Sequence, residues 1–99
     1  MEIVNPQNGQ KVWACAYRTT RSKESMALKE RPVYGIIQND YFYKLNKKEQ
    51  IVESSKINKH SRKYANTKEE CTELYNNMIE EQINFLRDLI YECEKDKIF

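Results

Sequence analysis

The sequence predicts an α+β fold: a small antiparallel β-sheet or partly open barrel of four or five strands, followed by one long C-terminal α-helix. Three observations carry this. Residues 11–18 divide by alternation into two faces, two short apolar runs flank the Asn39-Asp40 pair, and a helix-start signal at Thr67 opens a stretch without further Gly or Pro.

Taken in order, residues 1–10 hold Pro6 and the Asn8-Gly9 pair, so they read as a leader ending in a turn. In the strand over 11–18, Val12, Ala14, Ala16 and Arg18 share one face, and Trp13, Cys15 and Tyr17 the other. Residues 19–30 are polar and read as a mobile loop, with room for a helical turn around Ser25–Leu28. Residues 32–38 form the next strand. Pro32 suits a strand start or an edge, and Gly35 suits a bulge or a close backbone approach. Asn39-Asp40 joins it to residues 41–45 as a tight hairpin, because both residues tolerate positive φ. Residues 46–49 make a second polar turn, 50–53 a short strand, 54–59 a polar connection and 60–65 a last extended segment.

Thr67-Lys68-Glu69-Glu70 matches the capping box, in which the Thr hydroxyl accepts a free backbone N–H of the first turn. Glu69, Glu70 and Glu73 suit the positive end of the helix dipole, and Lys95 and Lys97 its negative end. One helix is expected over 68–96. Ile79, Ile83, Leu86, Ile90 and Cys93 follow a 4-3-4-3 spacing, and Cys71, Leu74, Met78, Phe85 and Leu89 form a neighbouring stripe. Such a helix is roughly 44 Å long, whereas a compact domain of this size is only about 30–35 Å across. The expectation is therefore that one stripe packs on the sheet and that Ile79, Ile83, Leu86 and Ile90 meet a second copy, giving a homodimer. The alternative is a break near Asn76-Asn77 or Asn84 with the chain folding back.

Ninety-nine residues make one domain. The charge of +2 hides a polarity. Residues 1–66 carry 13 Lys and Arg against 6 Asp and Glu, a net of +7, while residues 67–99 carry 4 against 9, a net of −5. A chain so divided has two electrostatic faces, each able to steer a different partner. The three cysteines are odd in number and lack a CxxC spacing, which fits reduced thiols in a cytoplasm. No apolar run approaches the ~18–20 residues that span a bilayer, and no signal peptide is expected, so the reading is cytoplasmic with no membrane partner.

Chemistry is sparse. His60 is the lone histidine, so a multi-His metal site is not expected, and its neighbour Ser61 points the other way in extended chain. With two glycines, most phosphate-binding loops are excluded. Cys71 and Cys93 occupy apolar helix positions. No enzyme activity, cofactor or metal is expected. Binding residues are a different matter. A basic patch is expected from Lys44, Lys47, Lys48, Lys59, Arg62 and Lys63, extended by Arg18 and Arg21 beside the loop, with Tyr41, Phe42, Tyr43 and Tyr64 interleaved. Lys and Arg neutralise phosphates and aromatics stack on bases, so a nucleic acid is one partner class. A small phosphorylated nucleotide held by Arg18, Arg62 and Tyr43 is another. On the acidic helix, Glu73, Glu80 and Asp88 are candidates for a basic protein channel.

The run Pro32-Val33-Tyr34-Gly35, the hairpin strand Tyr41-Phe42-Tyr43-Lys44-Leu45, the turn Lys47-Lys48-Glu49, and the segment from Ser61 through Thr67-Lys68-Glu69-Glu70-Cys71 to Tyr75-Asn76-Asn77 resemble small proteins of bacteriophages and prophages. In those, a short β-domain precedes a helix opening in a Thr-x-Glu-Glu pattern. The resemblance covers roughly residues 31–90, with Cys71 standing where a small Ala is expected. It implies an inhibitor of a host enzyme or of host antiviral defence, acting by binding a protein, by imitating nucleic acid or by sequestering a signalling nucleotide. It carries over no site residues.

Overall fold

The computed structural model describes residues 1–18 and 28–98. Six strands form one antiparallel sheet: β1 (Glu2–Ile3), β2 (Lys11–Arg18), β3 (Leu28–Gln38), β4 (Tyr41–Lys44), β5 (Ile57–Asn58) and β6 (Lys63–Ala65). Their spatial order is β1-β6-β2-β3-β4-β5. A single helix, α1 (Lys68–Lys95), follows. The architecture is thus the expected α+β arrangement, with an open sheet of six strands instead of four or five. Among the described residues no helix is long and apolar enough to cross a membrane.

The hairpin forms as its two turn residues dictate. Asn39 and Asp40 take φ of 51° and 65°, the geometry whose twist matches two-residue hairpins. Register follows, with Gln38 opposite Tyr41 and Ile36 opposite Tyr43. Three strand readings need correction, one being the extended segment over 60–65, where Lys59–Ser61 forms a 3-10 turn and only Lys63–Ala65 is strand. β3 begins at Leu28, inside the predicted loop; residues 19–27, including the rest of that loop, lie outside the described part. Pro32 sits within β3, where Ala14 faces Val33 but Ala16 faces Glu30. The extra residue on β3 falls at Arg31-Pro32, and a bulge there accommodates a residue that cannot donate to the ladder. Gly35 marks the close approach and not the bulge: a Cβ there would run into the Tyr43 carbonyl oxygen and the Phe42 ring. The predicted strand over 50–53 reduces to one bridge between Leu45 and Ile51, followed by a 3-10 turn at Glu53–Ser55.

Each face of the sheet has its own core. On one lie Val12, Ala14, Ile37, Phe42 and Tyr64, with Ile3, Val33 and Ile57 against them. Phe42 on β4 and Tyr64 on β6 are three strand spacings apart, ~14 Å in a flat sheet. Their rings nevertheless meet at 5.8 Å between centroids, so the sheet coils around this core. The Tyr64 hydroxyl donates to the Lys59 carbonyl at 2.6 Å, and burial holds its phenol well above the usual range. The opposite face carries Trp13 and Cys15, and onto it α1 lays Cys71, Leu74, Tyr75 and Met78. Tyr17 and Tyr75 meet edge to face at 5.7 Å. The helix starts as its sequence requires, the Thr67 hydroxyl accepting from the Glu70 N–H at 3.1 Å.

Candidate interaction surface

The helix does not break at Asn76-Asn77 or Asn84; it runs straight through 28 residues, roughly 42 Å. Among the described residues, the helix's core contacts with the sheet lie in its first half, at Cys71, Leu74, Tyr75 and Met78. Every residue from Asn84 to Ile98 is exposed, and the molecule extends 62 Å along its long axis against 29 and 23 Å across. Its radius of gyration is 16.9 Å, well above the ~13 Å of a compact domain this size. The overhang carries exposed apolar side chains among its charges: Leu86 is 47% exposed, Ile90 58% and Tyr91 60%. Ile79 and Ile83, half-buried, lead into this stripe. Short helices standing alone in water are marginal, and contiguous apolar surface of this kind marks contact sites. Glu73, Glu80 and Asp88 are all exposed on the helix. Their spacing of seven and eight residues places them on one ridge, turned away from the face that meets the sheet.

The thiols separate cleanly. Cys15 and Cys71 are buried and Cys93 is exposed. The Cys15 thiol donates to the Cys71 carbonyl at 3.6 Å. The hydrogen bond with Cys15, together with burial, pushes the Cys71 thiol far above its usual range. In dilute native protein an aromatic disulfide reagent is therefore expected to find one fast thiol, Cys93, with the other two appearing only in denaturant. Three fast thiols without denaturant would contradict this packing.

The predicted basic patch divides into pieces. Arg62 is 10% exposed at its side chain and bonds Glu30 at 3.2 Å, and Lys44 reaches the same carboxylate at 3.5 Å. The bulge at Arg31-Pro32 is what turns Glu30 inward to meet them. Lys59, 12% exposed at its side chain, is held by Asp40 at 3.2 Å and by the Asn5 side-chain oxygen at 3.2 Å. Lys63 lies 3.9 Å from Glu2. Arg62 and Lys59 are thus engaged inside the fold, while Lys44 and Lys63 are paired at its surface with side chains still 43% exposed. Lys47 and Lys48 are exposed on the turn whose backbone Asn46 braces, its side-chain oxygen accepting the Lys48 and Gln50 N–H groups at 2.9 Å. That turn is tied to Lys11 by Glu49 at 2.7 Å, at the far end of β2 from Arg18, roughly 23 Å away for a strand of this length. Arg21 lies outside the described residues. Arg18, Arg62 and Lys63 do line one cleft of about 580 Å³, with Leu28, His60 and Met78. Tyr43 does not belong to it, so the three residues expected to hold a nucleotide are not brought together.

One feature escaped the sequence reading. The register puts Trp13, Tyr34, Ile36 and Tyr43 on one face of the sheet, and Trp13 and Tyr34 stack at 5.5 Å. Tyr41 continues the row, with the Lys56 ammonium 4.1 Å above its ring. The two-residue turn at Asn39-Asp40, which fixes the pairing of Tyr41 and Tyr43 with β3, was the signal that contained this row. Comparison with protein-family models, with curated proteins and with solved structures finds no match for this chain.

Proposed function

We propose that this protein is a small cytoplasmic interaction protein that works by holding other proteins, with the overhanging half of α1 as its contact element. The observation that carries this reading is the exposure of every residue from Asn84 to Ile98 on a helix with an apolar stripe. A fold gains nothing from such an extension unless something covers it. The helix offers two surfaces. The stripe of Ile79, Ile83, Leu86 and Ile90 suits a second copy, making a homodimer. The ridge of Glu73, Glu80 and Asp88 suits a basic surface on a target. With the resemblance to bacteriophage proteins, the target is a host protein that binding inhibits, such as a defence factor that grips nucleic acid.

The test is capture from a bacterial lysate treated with nuclease. The full chain is expected to retain a protein target, and reversing Glu73, Glu80 and Asp88 to Lys is expected to weaken that retention at least ~10-fold with helicity unchanged. Retention indifferent to the three reversals, or lost on nuclease treatment, overturns this reading. The second outcome would favour a nucleic-acid partner on the face bearing Tyr34, Tyr41 and Tyr43 beside Lys56. That alternative predicts binding that falls steeply with salt.

A further inference from the structure

We infer that the occupant of the overhang's apolar stripe is a second copy of this chain laid antiparallel, each helix tip ending in a groove beside the other's sheet. This rests on the self-association reading above and adds its orientation, register and end contacts.

Thr72, Asn76, Ile79, Ile83, Leu86, Ile90 and Cys93 recur at alternating steps of four and three, the seam of a two-helix coiled coil. The seam does not stop where the sheet begins. Thr72, Asn76 and Ile79 form one wall of an open groove of about 540 Å³, whose other wall is Arg31 and Pro32 of β3. A helix lying along the overhang's seam therefore runs directly into this groove.

Orientation follows from charge. Laid parallel, the seam's flanks would pair Gln82 with Arg87 and Leu89 with Glu94, and neither pair gains an ion pair. Parallel packing would also bring two front halves, each of net charge +7, side by side. Laid antiparallel with Leu86 facing Ile90 of the second copy, Ile83 faces its Cys93. Arg87 then comes within five residues of its Glu94 along the axis, about 7.5 Å, a span two long side chains can bridge, and symmetry supplies that pair twice. The β-halves go to opposite ends. In this register the tip of each helix arrives opposite Met78–Glu80 of the other. It brings the flanking acid Asp96 toward Arg31, which has no ion-pair partner among the described residues.

The exposed Cys93 gives a direct readout. In the antiparallel register Cys93 and Cys93 of the second copy are ten residues apart along the axis, about 15 Å, too far for a disulfide, whose Cα atoms lie within ~7 Å. Air or copper–phenanthroline oxidation of the full chain at ~50 μM should leave it uncrosslinked on a non-reducing gel. Ile83→Cys, with Cys93 retained, should give a covalent dimer, and Ile83→Cys with Cys93→Ser should not. By sedimentation, Arg87→Glu should weaken the dimer roughly 10-fold and Arg87→Glu with Glu94→Arg should restore it, given the size of exposed ion-pair energies on two symmetric contacts. Efficient crosslinking of the unaltered chain through Cys93 overturns the antiparallel arrangement but leaves self-association standing. A monomer at ~100 μM overturns self-association itself and assigns the stripe to a different protein.

Discussion

Replacing Leu86 and Ile90 together by Glu is expected to abolish self-association while leaving the fold intact. Both side chains are exposed in the single chain, at 47% and 58%, so the β-half loses no packing. In a two-fold pair the same change removes four apolar side chains from the seam. Full burial of each is worth about 1.5–3 kcal/mol, so the dissociation constant should rise at least ~100-fold. Stability gives a second readout. The unaltered chain's melting temperature should climb with protein concentration, because association binds only folded chains. The variant's should not. If the variant still sediments as a dimer, the seam lies elsewhere.

Gly35→Ala is expected to be the most damaging single methyl in the molecule, costing about 3 kcal/mol. Its added carbon would meet the Tyr43 backbone oxygen and the fully buried Phe42 ring. Neither can yield: the first belongs to the β3–β4 ladder, and the second fills the core against Tyr64. Overpacking of this kind costs about 1–3 kcal/mol, more where backbone must shift. Gly9→Ala is the control. Gly9 has a φ of 86° and open space around it, so its cost is conformational only, about 1 kcal/mol. In urea unfolding the Gly35 variant should lie well below the Gly9 variant, and on heating it should lose on the order of 15 °C. Equal losses at the two sites would contradict the packing of Phe42 under Gly35.

What the sequence made legible was whatever depends on near neighbours. Asn39-Asp40 announces a hairpin because φ tolerance is a property of those residues, and Thr67 announces a helix because its partner is three residues on. The two-residue strands β1 and β5 carry no periodicity and went unread. The start of β3 is hidden because Lys29, Glu30 and Arg31 are polar enough to read as loop, and the bulge at Arg31-Pro32 breaks their alternation with the residues that follow. The candidate sites divide along the same line. Helix spacing showed the apolar stripe and the acidic ridge directly. The basic patch was misleading, because a cation is available only if no anion meets it. Glu30 meets Arg62 and Lys44 through strands that the sequence could not place side by side.

The order of the strands has a mechanical consequence. β6 lies between β1 and β2, paired on both sides, and only Asn66 and Thr67 separate it from α1. A load applied at the tip of the overhang is thus delivered within two residues to a strand in the interior of the sheet. The lever is long and its fulcrum is the Cys71–Met78 contact with β2. A pull along the helix axis meets first the unsupported turns of the overhang and only then the strand pairing of β6 with β1 and β2.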